Sequence, residues 1–331
     1  MTLTQASIAL SILAAAVLSH PAHAGPDELL ELVKNIPMTA VSGRIDHFGV
    51  DAAGGRLFVA ALGNDTLEVI DLKASRRARS IPGFGEPQGV LYVPKLDRLY
   101  VANGSASRVD VLDGTSLARI RSIEGLEDAD NLRYDGAAQK VYVGYGKGAL
   151  KILDAATGDA SGDIALAGHP ESFQLEQAGA RIFVNVPTAR QVAVVDRAKR
   201  AVVAAWKVSA AGNFPMALDE SGRRLFVGAR NPGVLLVYDI DTGKVVAEQT
   251  IGGDTDDLFF DAARRLIYVV CGEGRIDVVQ QQDADRYALR GSVRTAPRAR
   301  TGLWVPDTGR LYVAAPASGG SPAQVRSYQP R

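Results

Sequence analysis

The chain has 331 residues, including 34 glycines and 15 prolines, and its 37 basic and 37 acidic side chains give a formal net charge of zero. The lack of a basic excess argues against sequence-independent nucleic-acid binding, which requires cationic groups to neutralise phosphates. A single cysteine, Cys271, excludes an intrachain disulfide. Its place directly after Tyr268-Val269-Val270, inside a predicted strand, indicates a buried structural thiol.

Residues 1–24 are predicted to be a signal peptide. Residues 8–18 form an apolar core, and Ala22-His23-Ala24 fits the small-x-small rule for cleavage before Gly25. The alternative for this segment is a short membrane anchor. No later stretch is long and apolar enough to span a bilayer. The mature chain, residues 25–331, is therefore expected to be periplasmic or secreted.

One short phrase recurs through the mature chain: an aliphatic residue, an aromatic residue and a valine, usually after a basic residue. Arg56-Leu57-Phe58-Val59 is the first copy. The seven aromatic residues are separated by 41 to 44 positions, and they are Phe58, Tyr100, Tyr142, Phe183, Phe226, Tyr268 and Tyr312. A repeat of about 40–45 residues made of short strands is typical of a β-propeller. The sequence thus predicts an all-β fold with seven four-stranded blades in a single domain, residues 25–331.

Within each repeat the aromatic phrase is expected on the second strand. The third strand alternates in polarity and usually ends on aspartate before a turn, as at Asp113, Asp154, Asp196 and Asp239. Because an aspartate side chain can accept hydrogen bonds from the turn backbone, these residues are interpreted as structural.

The last repeat ends directly after its third strand, so its fourth strand must come from elsewhere. Residues 31–41 resemble a fourth strand and lead into the first repeat. We therefore expect the N-terminal strand to complete the last blade and close the ring, which removes two exposed sheet edges. The predicted blades are 44–84, 85–126, 127–167, 168–210, 211–252, 253–296, and 297–331 together with 31–43.

The aromatic-valine phrase, the alternating third strand and the Asp-x-x-Thr-Gly turn together resemble the YVTN-repeat, YncE-like propellers. Val101-Ala102-Asn103-Gly104 and Val184-Asn185 are close to the motif that names this family. The resemblance covers the whole mature chain. It implies a seven-bladed propeller that is commonly exported, and it implies no fixed enzymatic reaction.

Propellers bind ligands at the mouth of the central channel, where the first strands begin, and the repeat allows these positions to be aligned. Counting back twelve residues from each aromatic gives a first ring, which consists of Asp46, Gln88, Asp130, Glu171, Phe214, Asp256 and Arg300. Counting back eleven gives a second ring, which consists of His47, Gly89, Asn131, Ser172, Pro215, Asp257 and Thr301. The predicted ligand-binding residues are Asp46, His47, Gln88, Asp130, Asn131, Glu171, Asp256, Asp257 and Arg300.

Converging carboxylates repel one another unless a cation joins them. An oxygen-rich set suits Ca²⁺, Mg²⁺ or Mn²⁺, and the candidate metal ligands are Asp46, Asp130, Glu171 and Asp256. His47 could be a ligand or an acid/base group. Arg300 could hold a carboxylate or phosphate of the ligand, or neutralise neighbouring carboxylates. The alternative is a water-filled mouth whose polar groups are solvated or paired.

Three further residues are weaker candidates at the same mouth. His169 adds a second imidazole, Asn213 is a possible polar contact, and Phe214 could form an apolar wall.

Two functions from different classes fit these residues. The first is a non-catalytic, monomeric propeller that binds a small molecule or a periplasmic protein at the mouth. The second is a divalent-metal-assisted hydrolase, lactonase or lyase, with His47, Asp130 and Asp256 as candidate catalytic residues. The second rests on analogy of fold, because the sequence contains no motif of a known hydrolase mechanism.

Overall fold

The computed structural model describes residues 29–331. The predicted signal peptide and its cleavage site lie outside these residues and remain predictions. In the described part of the chain, no helix is long and apolar enough to cross a membrane.

The described chain forms 28 strands, numbered in chain order, in seven antiparallel four-stranded sheets. Strand β1 is Leu30–Pro37. Six sheets follow in sequence, and they are β2 to β5 (Phe48–Asp51, Arg56–Ala61, Thr66–Asp71, Arg76–Pro82), β6 to β9 (Pro87–Val93, Arg98–Asn103, Arg108–Asp113, Arg119–Glu124), β10 to β13 (Leu132–Asp135, Lys140–Tyr145, Ala149–Asp154, Ala160–Ala165), β14 to β17 (Phe173–Leu175, Arg181–Val186, Gln191–Asp196, Ala201–Lys207), β18 to β21 (Ala211–Asp219, Arg224–Asn231, Gly233–Asp239, Val245–Thr250) and β22 to β25 (Thr255–Asp261, Leu266–Cys271, Arg275–Gln281, Tyr287–Arg294). The seventh sheet contains β26 to β28 (Gly302–Val305, Arg310–Ala315, Gln324–Pro330) and β1. Four single 3₁₀ turns connect strands, at Leu62–Asn64, Pro94–Leu96, Pro187–Ala189 and Pro306–Thr308.

The seven sheets are the blades of a closed ring. The first strand of each blade contacts the first strand of the next, and β26 of the seventh blade returns to β2 of the first. The predicted all-β, seven-bladed propeller is therefore confirmed. The blades lie within their predicted ranges, except that β1 of the seventh blade begins at Leu30, one residue before the predicted segment.

Strand β1 closes the ring, as the sequence predicts. It pairs antiparallel with β28, from Leu30 opposite Pro330 to Pro37 opposite Gln324. Backbone hydrogen bonds continue beyond both ends of this pairing, because Arg331 N–H donates to Leu29 O at 3.2 Å and Met38 N–H donates to Ala323 O at 2.7 Å.

The recurring aromatic phrase forms the core between blades. Successive side chains of a strand point to opposite faces, so each second strand contacts both neighbouring blades. Leu57 packs in a cluster with Tyr312 of the seventh blade, whereas the adjacent Phe58 packs in a cluster with Leu99 of the second blade. All seven aromatic side chains are buried.

The strand register is the same in every blade. The residue nine positions before the aromatic lies directly opposite it, as Gly49 does to Phe58 and Arg133 does to Tyr142. Equivalent first-strand residues therefore lie at equal depths along the channel.

The aspartates that end the third strands are structural, as the sequence indicates. Their Oδ1 atoms accept backbone hydrogen bonds from the following turn, which are Ser116 N to Asp113, Thr157 N to Asp154, Lys199 N to Asp196 and Thr242 N to Asp239. In Asp154 the hydrogen bond from Thr157 contributes most to lowering the pKa to about 2.

Cys271 is a buried free thiol, as predicted. Burial raises its pKa to about 12, so the reactive thiolate is disfavoured.

We predict that the closing strand contributes to the stability of the whole ring. Ile36→Ala should lower the free energy of unfolding by roughly 2–5 kcal/mol, because Ile36 is buried among side chains of the first and last blades. Urea denaturation measures this change. Val33→Ala in the same strand is the control and should change little, because Val33 is 36% exposed. An unchanged free energy of unfolding in Ile36→Ala would contradict a structural role for β1.

Candidate functional site

The candidate site is a bowl at the mouth of the channel, where the first strands begin. Its volume is about 240 Å³, and it is lined by Arg44, Gln88, Asp128, Asp130, His169, Glu171, Phe214, Arg230 and Arg300. Five of these residues belong to the first ring predicted from the repeat. The other two members of that ring, Asp46 and Asp256, are buried and form ion pairs with Arg44.

Irregular strand pairing shapes the bowl in three blades. The ladder between the first two strands shifts between Pro87 and Val90, between Asn213 and Met216, and between Thr255 and Asp257. Each shift is a β-bulge that contains a first-ring residue, and these residues are Gln88, Phe214 and Asp256. A bulge bends the strand and redirects a side chain. At the mouth, these three side chains therefore depart from the regular alternation between the two faces of the sheet.

Asp256 is the centre of a cluster of arginines. It accepts a hydrogen bond from Arg230 Nη2, and its Oδ2 lies 3.2 Å from Arg300 Nε and 3.8 Å from Arg44 Nη2. Arg300 Nη1 also donates to Asp254 Oδ1 at 2.7 Å. Of the two roles considered for Arg300, the geometry therefore favours neutralising neighbouring carboxylates.

Asp46 is buried beneath this cluster. Arg44 Nη2 lies 2.9 Å from Asp46 Oδ2, and His47 Nε2 lies 3.6 Å from Asp46 Oδ1. Burial is the largest effect on the pKa of Asp46 and raises it above the usual value, although both cations oppose this rise.

Asp130 and Glu171 differ from the other carboxyls of the bowl. They lie in the neighbouring third and fourth blades, and neither forms an ion pair with an arginine of residues 29–331. The nearest cationic group to Asp130 is His47 Nε2, at 3.9 Å from Oδ1. Asp130 Oδ1 is also buried without a hydrogen-bond partner.

Because no arginine pairs with Asp130 or Glu171, the pKa values of both carboxyls are raised. Burial, aided by the Glu171 and Asp46 carboxyls and opposed by His47, raises the pKa of Asp130 to about 8. Burial, aided by Asp256, raises the pKa of Glu171 to about 7. Near neutral pH both groups therefore hold protons for a large part of the time.

His47 forms the floor of the bowl and reaches across the channel. Its Nδ1 lies 3.3 Å from Asp257 Oδ2, and its Nε2 lies 3.3 Å from the amide of Asn131. Burial alone would lower the pKa of His47, but Asp257, Asp46 and Asp130 together raise it well above the usual value. These contacts favour the protonated imidazole, which compensates part of the carboxylate charge.

The rim of the bowl contains weaker polar contacts. Gln88 Nε2 donates to Asp128 Oδ1 at 3.1 Å, and Asp128 Oδ2 lies 3.7 Å from His169 Nδ1. His169 Nδ1 donates to Gly146 O at 2.7 Å, which orients the ring.

Phe214 forms a wall of the bowl, and the guanidinium of Arg230 stacks on it at 3.6 Å from the ring centroid.

Asn213 is predicted from the sequence as a polar contact at the mouth, but the structure places its side chain elsewhere. It is fully buried, and its amide donates to Asn185 Oδ1 and to Gln191 O, both at 3.1 Å. Its hydrogen bonds therefore join neighbouring strands and do not face the bowl.

The structure brings all nine predicted ligand-binding residues to this end of the channel, but sequence reasoning missed two of the arginines that neutralise them. Arg44 lies fourteen positions before its aromatic, the same repeat position as Asp128, His169 and Asp254. Arg230 lies four positions after Phe226, where the second strand returns to the mouth. Aligning the repeats at fourteen residues before and four residues after each aromatic would have identified Arg44 and Arg230.

The four candidate metal ligands have different surroundings. Asp46 and Asp256 are paired with arginines, whereas Asp130 and Glu171 are not. Among residues 29–331, no group of three or more His, Cys, Asp or Glu side chains has the geometry to hold a metal ion. A divalent cation at this mouth stays a prediction.

The chain was also compared with known proteins. No family model matches it, and no curated protein matches it by sequence. Among solved structures, it is similar to a chain of "Kuenenia stuttgartiensis Hydrazine Synthase", with 16% identity, 84% of this chain and 95% of that chain covered, and a TM-score of 0.72. It is also similar to a chain of "Crystal Structure of Mitotic Checkpoint Complex", with 13% identity, 97% and 98% covered, and a TM-score of 0.79. At such identities the likeness establishes the seven-bladed β-propeller fold alone.

Proposed function

We propose that this chain is an exported, non-catalytic propeller that binds a small cationic ligand at the mouth of its channel. The observation that carries the proposal is the pair Asp130 and Glu171, two carboxyls that face the bowl without an arginine partner. A ligand cation placed between them would replace the protons that they otherwise hold.

The charges around the bowl support a cation over an anion. Six carboxyl groups surround it, and when all of them are ionised they outnumber the four cations beside them, which are three guanidiniums and the His47 imidazole. The carboxyls are Asp46, Asp128, Asp130, Glu171, Asp254 and Asp256, and the guanidiniums are Arg44, Arg230 and Arg300. All three guanidiniums already contact carboxylates, so an anionic ligand would have to displace these pairs.

The size of the bowl favours a small ligand. A volume of about 240 Å³ corresponds to roughly eight water molecules, at about 30 Å³ each. Protonated amines and divalent cations share the required chemistry, and a divalent ion would use the carboxylates named as metal ligands above. A lysine side chain of a protein partner would offer the same ammonium group.

We further propose that the chain is a YVTN-repeat, YncE-like propeller. The aromatic-valine phrase and the Asp-x-x-Thr-Gly turns support this assignment, and the predicted signal peptide is consistent with export.

We predict that ligand affinity depends on ionised Asp130 and Glu171. 1,4-Diaminobutane should raise the unfolding midpoint of the protein at pH 8.5 with increasing concentration, and much less at pH 6, where both carboxyls are protonated. Asp130→Asn and Glu171→Gln should each weaken binding at pH 8.5 by roughly ten- to a hundredfold, the usual cost of one charge-assisted hydrogen bond. Asp307→Asn, in an exposed turn at the opposite end of a blade, is the matched control.

Parallel titrations with Ca²⁺, Mg²⁺ and Mn²⁺ distinguish the source of the cation. A response to one ion and none to the diamine would identify a metal site. If no cation shifts the midpoint, or if the shift is the same in Asp130→Asn, the proposed cation site is wrong.

We predict that the ligand-free protein loses stability as the pH rises from 5 to 8.5. Asp130 binds its proton more tightly when folded, with a pKa of about 8 against the usual 3.8, so the folded state holds more protons over this interval. The free energy of unfolding should then fall by up to about 1.4 kcal/mol per pH unit for this group. Urea denaturation of wild type and Asp130→Asn at both pH values tests this, and equal pH slopes would contradict it.

We predict that the exported protein begins at Gly25. Intact-mass measurement of the periplasmic or secreted fraction should give residues 25–331. Ala24→Phe should retain the precursor, because a large residue directly before the cut violates the small-x-small rule, whereas His23→Phe at the unconstrained middle position should be cleaved normally. Normal cleavage of Ala24→Phe would contradict the assigned site.

A further inference from the structure

A second cavity lies inside the channel, beneath the floor formed by His47. Its volume is about 350 Å³, and its walls come from the first strands of six blades. Residues nine positions before the aromatic line its middle, and they are Gly49, Leu91, Arg133, Gln174, Phe259 and Leu303. This volume falls in the range of small-molecule sites, whose walls are mostly apolar with a few placed polar groups.

The cavity has two unlike sides. The third and fourth blades contribute the polar residues Arg133 and Gln174, and Gln174 Nε2 donates to Met216 O at 3.0 Å. The sixth and seventh blades contribute Phe259 and Leu303. A ligand that fills this space therefore needs a polar end and an apolar body.

Arg133 is the cation of this cavity. Its Nη1 donates to Leu132 O at 2.8 Å and to Asn131 Oδ1 at 3.3 Å, and its Nη2 donates to Ser172 Oγ at 3.4 Å. All of these acceptors are neutral, and the guanidinium also lies 5.4 Å from the centroid of the Phe173 ring. Among residues 29–331 no carboxylate forms an ion pair with Arg133. A buried guanidinium that has no carboxylate in ion-pair contact is costly, and an incoming anion would reduce that cost.

The roof of the cavity adds no unpaired negative charge. Asp257 is the one carboxylate among the lining residues, and it contacts His47 Nδ1 at 3.3 Å and accepts Gly302 N–H at 2.9 Å. Asp257 is therefore occupied by His47 and Gly302, and Arg133 is the cationic side chain of this lining that has no ion pair.

We propose that the channel cavity binds a small organic acid, whose carboxylate pairs with Arg133 and whose apolar body packs against Phe259 and Leu303. The volume exceeds the roughly 150 Å³ of an apolar cavity that binds benzene, so a small aromatic monocarboxylate such as benzoate fits. This site is separate from the mouth, because its lining is distinct from that of the bowl and it selects the opposite charge.

Calorimetric titration of the purified protein with sodium benzoate at pH 7 tests the proposal. We expect saturable binding of one benzoate, and binding of benzyl alcohol at least tenfold weaker, because the alcohol has the apolar body without the charge. Arg133→Met should weaken benzoate binding about ten- to a hundredfold, whereas Arg294→Met, an exposed arginine on an outer strand, should leave it unchanged.

Two further measurements separate a binding role from a structural one. The midpoint of unfolding of ligand-free Arg133→Met should stay close to that of wild type, because the loss of its hydrogen bonds and of the Phe173 contact is offset by removing a buried cation that has no ion pair. Leu303→Trp should abolish benzoate binding by filling the cavity while Arg133 is retained. If Arg133→Met fails to fold, Leu303→Trp decides the question.

Four results would overturn the proposal. They are no benzoate binding, equal affinity for benzyl alcohol, equal affinity for inorganic phosphate, which would indicate recognition of an anion alone, and unchanged benzoate binding in Leu303→Trp.

Discussion

Antiparallel pairing between β1 and β28 joins the two ends of the described chain and completes the seventh blade. Because the ring is closed, seven first strands share one axis, and side chains far apart in sequence meet there. His47 and Asp257 are 210 positions apart and contact each other at 3.3 Å. Thr301 Oγ1 likewise donates to Ile45 O at 3.2 Å, between the last and first blades. Neither the bowl nor the channel cavity would exist without this closure.

Much of this architecture can be predicted from the spacing of the repeated aromatic residues in the sequence. The aromatic phrase predicts the number of blades, and the constant register makes a count back from Phe58 or Tyr268 predict depth in the channel. The count cannot predict how far a long side chain extends from its own backbone position. Arg230 belongs to a second strand and still contacts Asp256, because a long side chain extends beyond its own repeat position. The bulge at Asp256 is likewise a local irregularity that no periodic rule contains.

His47 lies between two environments whose unpaired groups differ, carboxyls in the bowl and a guanidinium in the channel cavity. Above it, carboxyls outnumber guanidiniums, and Asp130 and Glu171 hold protons for lack of partners. Below it, Arg133 is a cation for which residues 29–331 supply no paired carboxylate. The imidazolium is suited to this boundary because Nδ1 contacts Asp257 and Nε2 faces Asp46 and Asp130. One side chain thus contributes to the electrostatics of both cavities.

The mixed composition of the first ring limits how the repeats can diverge. Seven identical copies of the first blade would place seven aspartates around one axis, and their mutual repulsion would oppose folding. The present ring avoids this by combining carboxyls with Gln88, Phe214 and Arg300. Each replacement in one blade changes the charge that the other six experience. A substitution in this ring therefore affects all seven blades, whereas a substitution at an exposed outer-strand residue such as Val203 or Val245 affects its own blade.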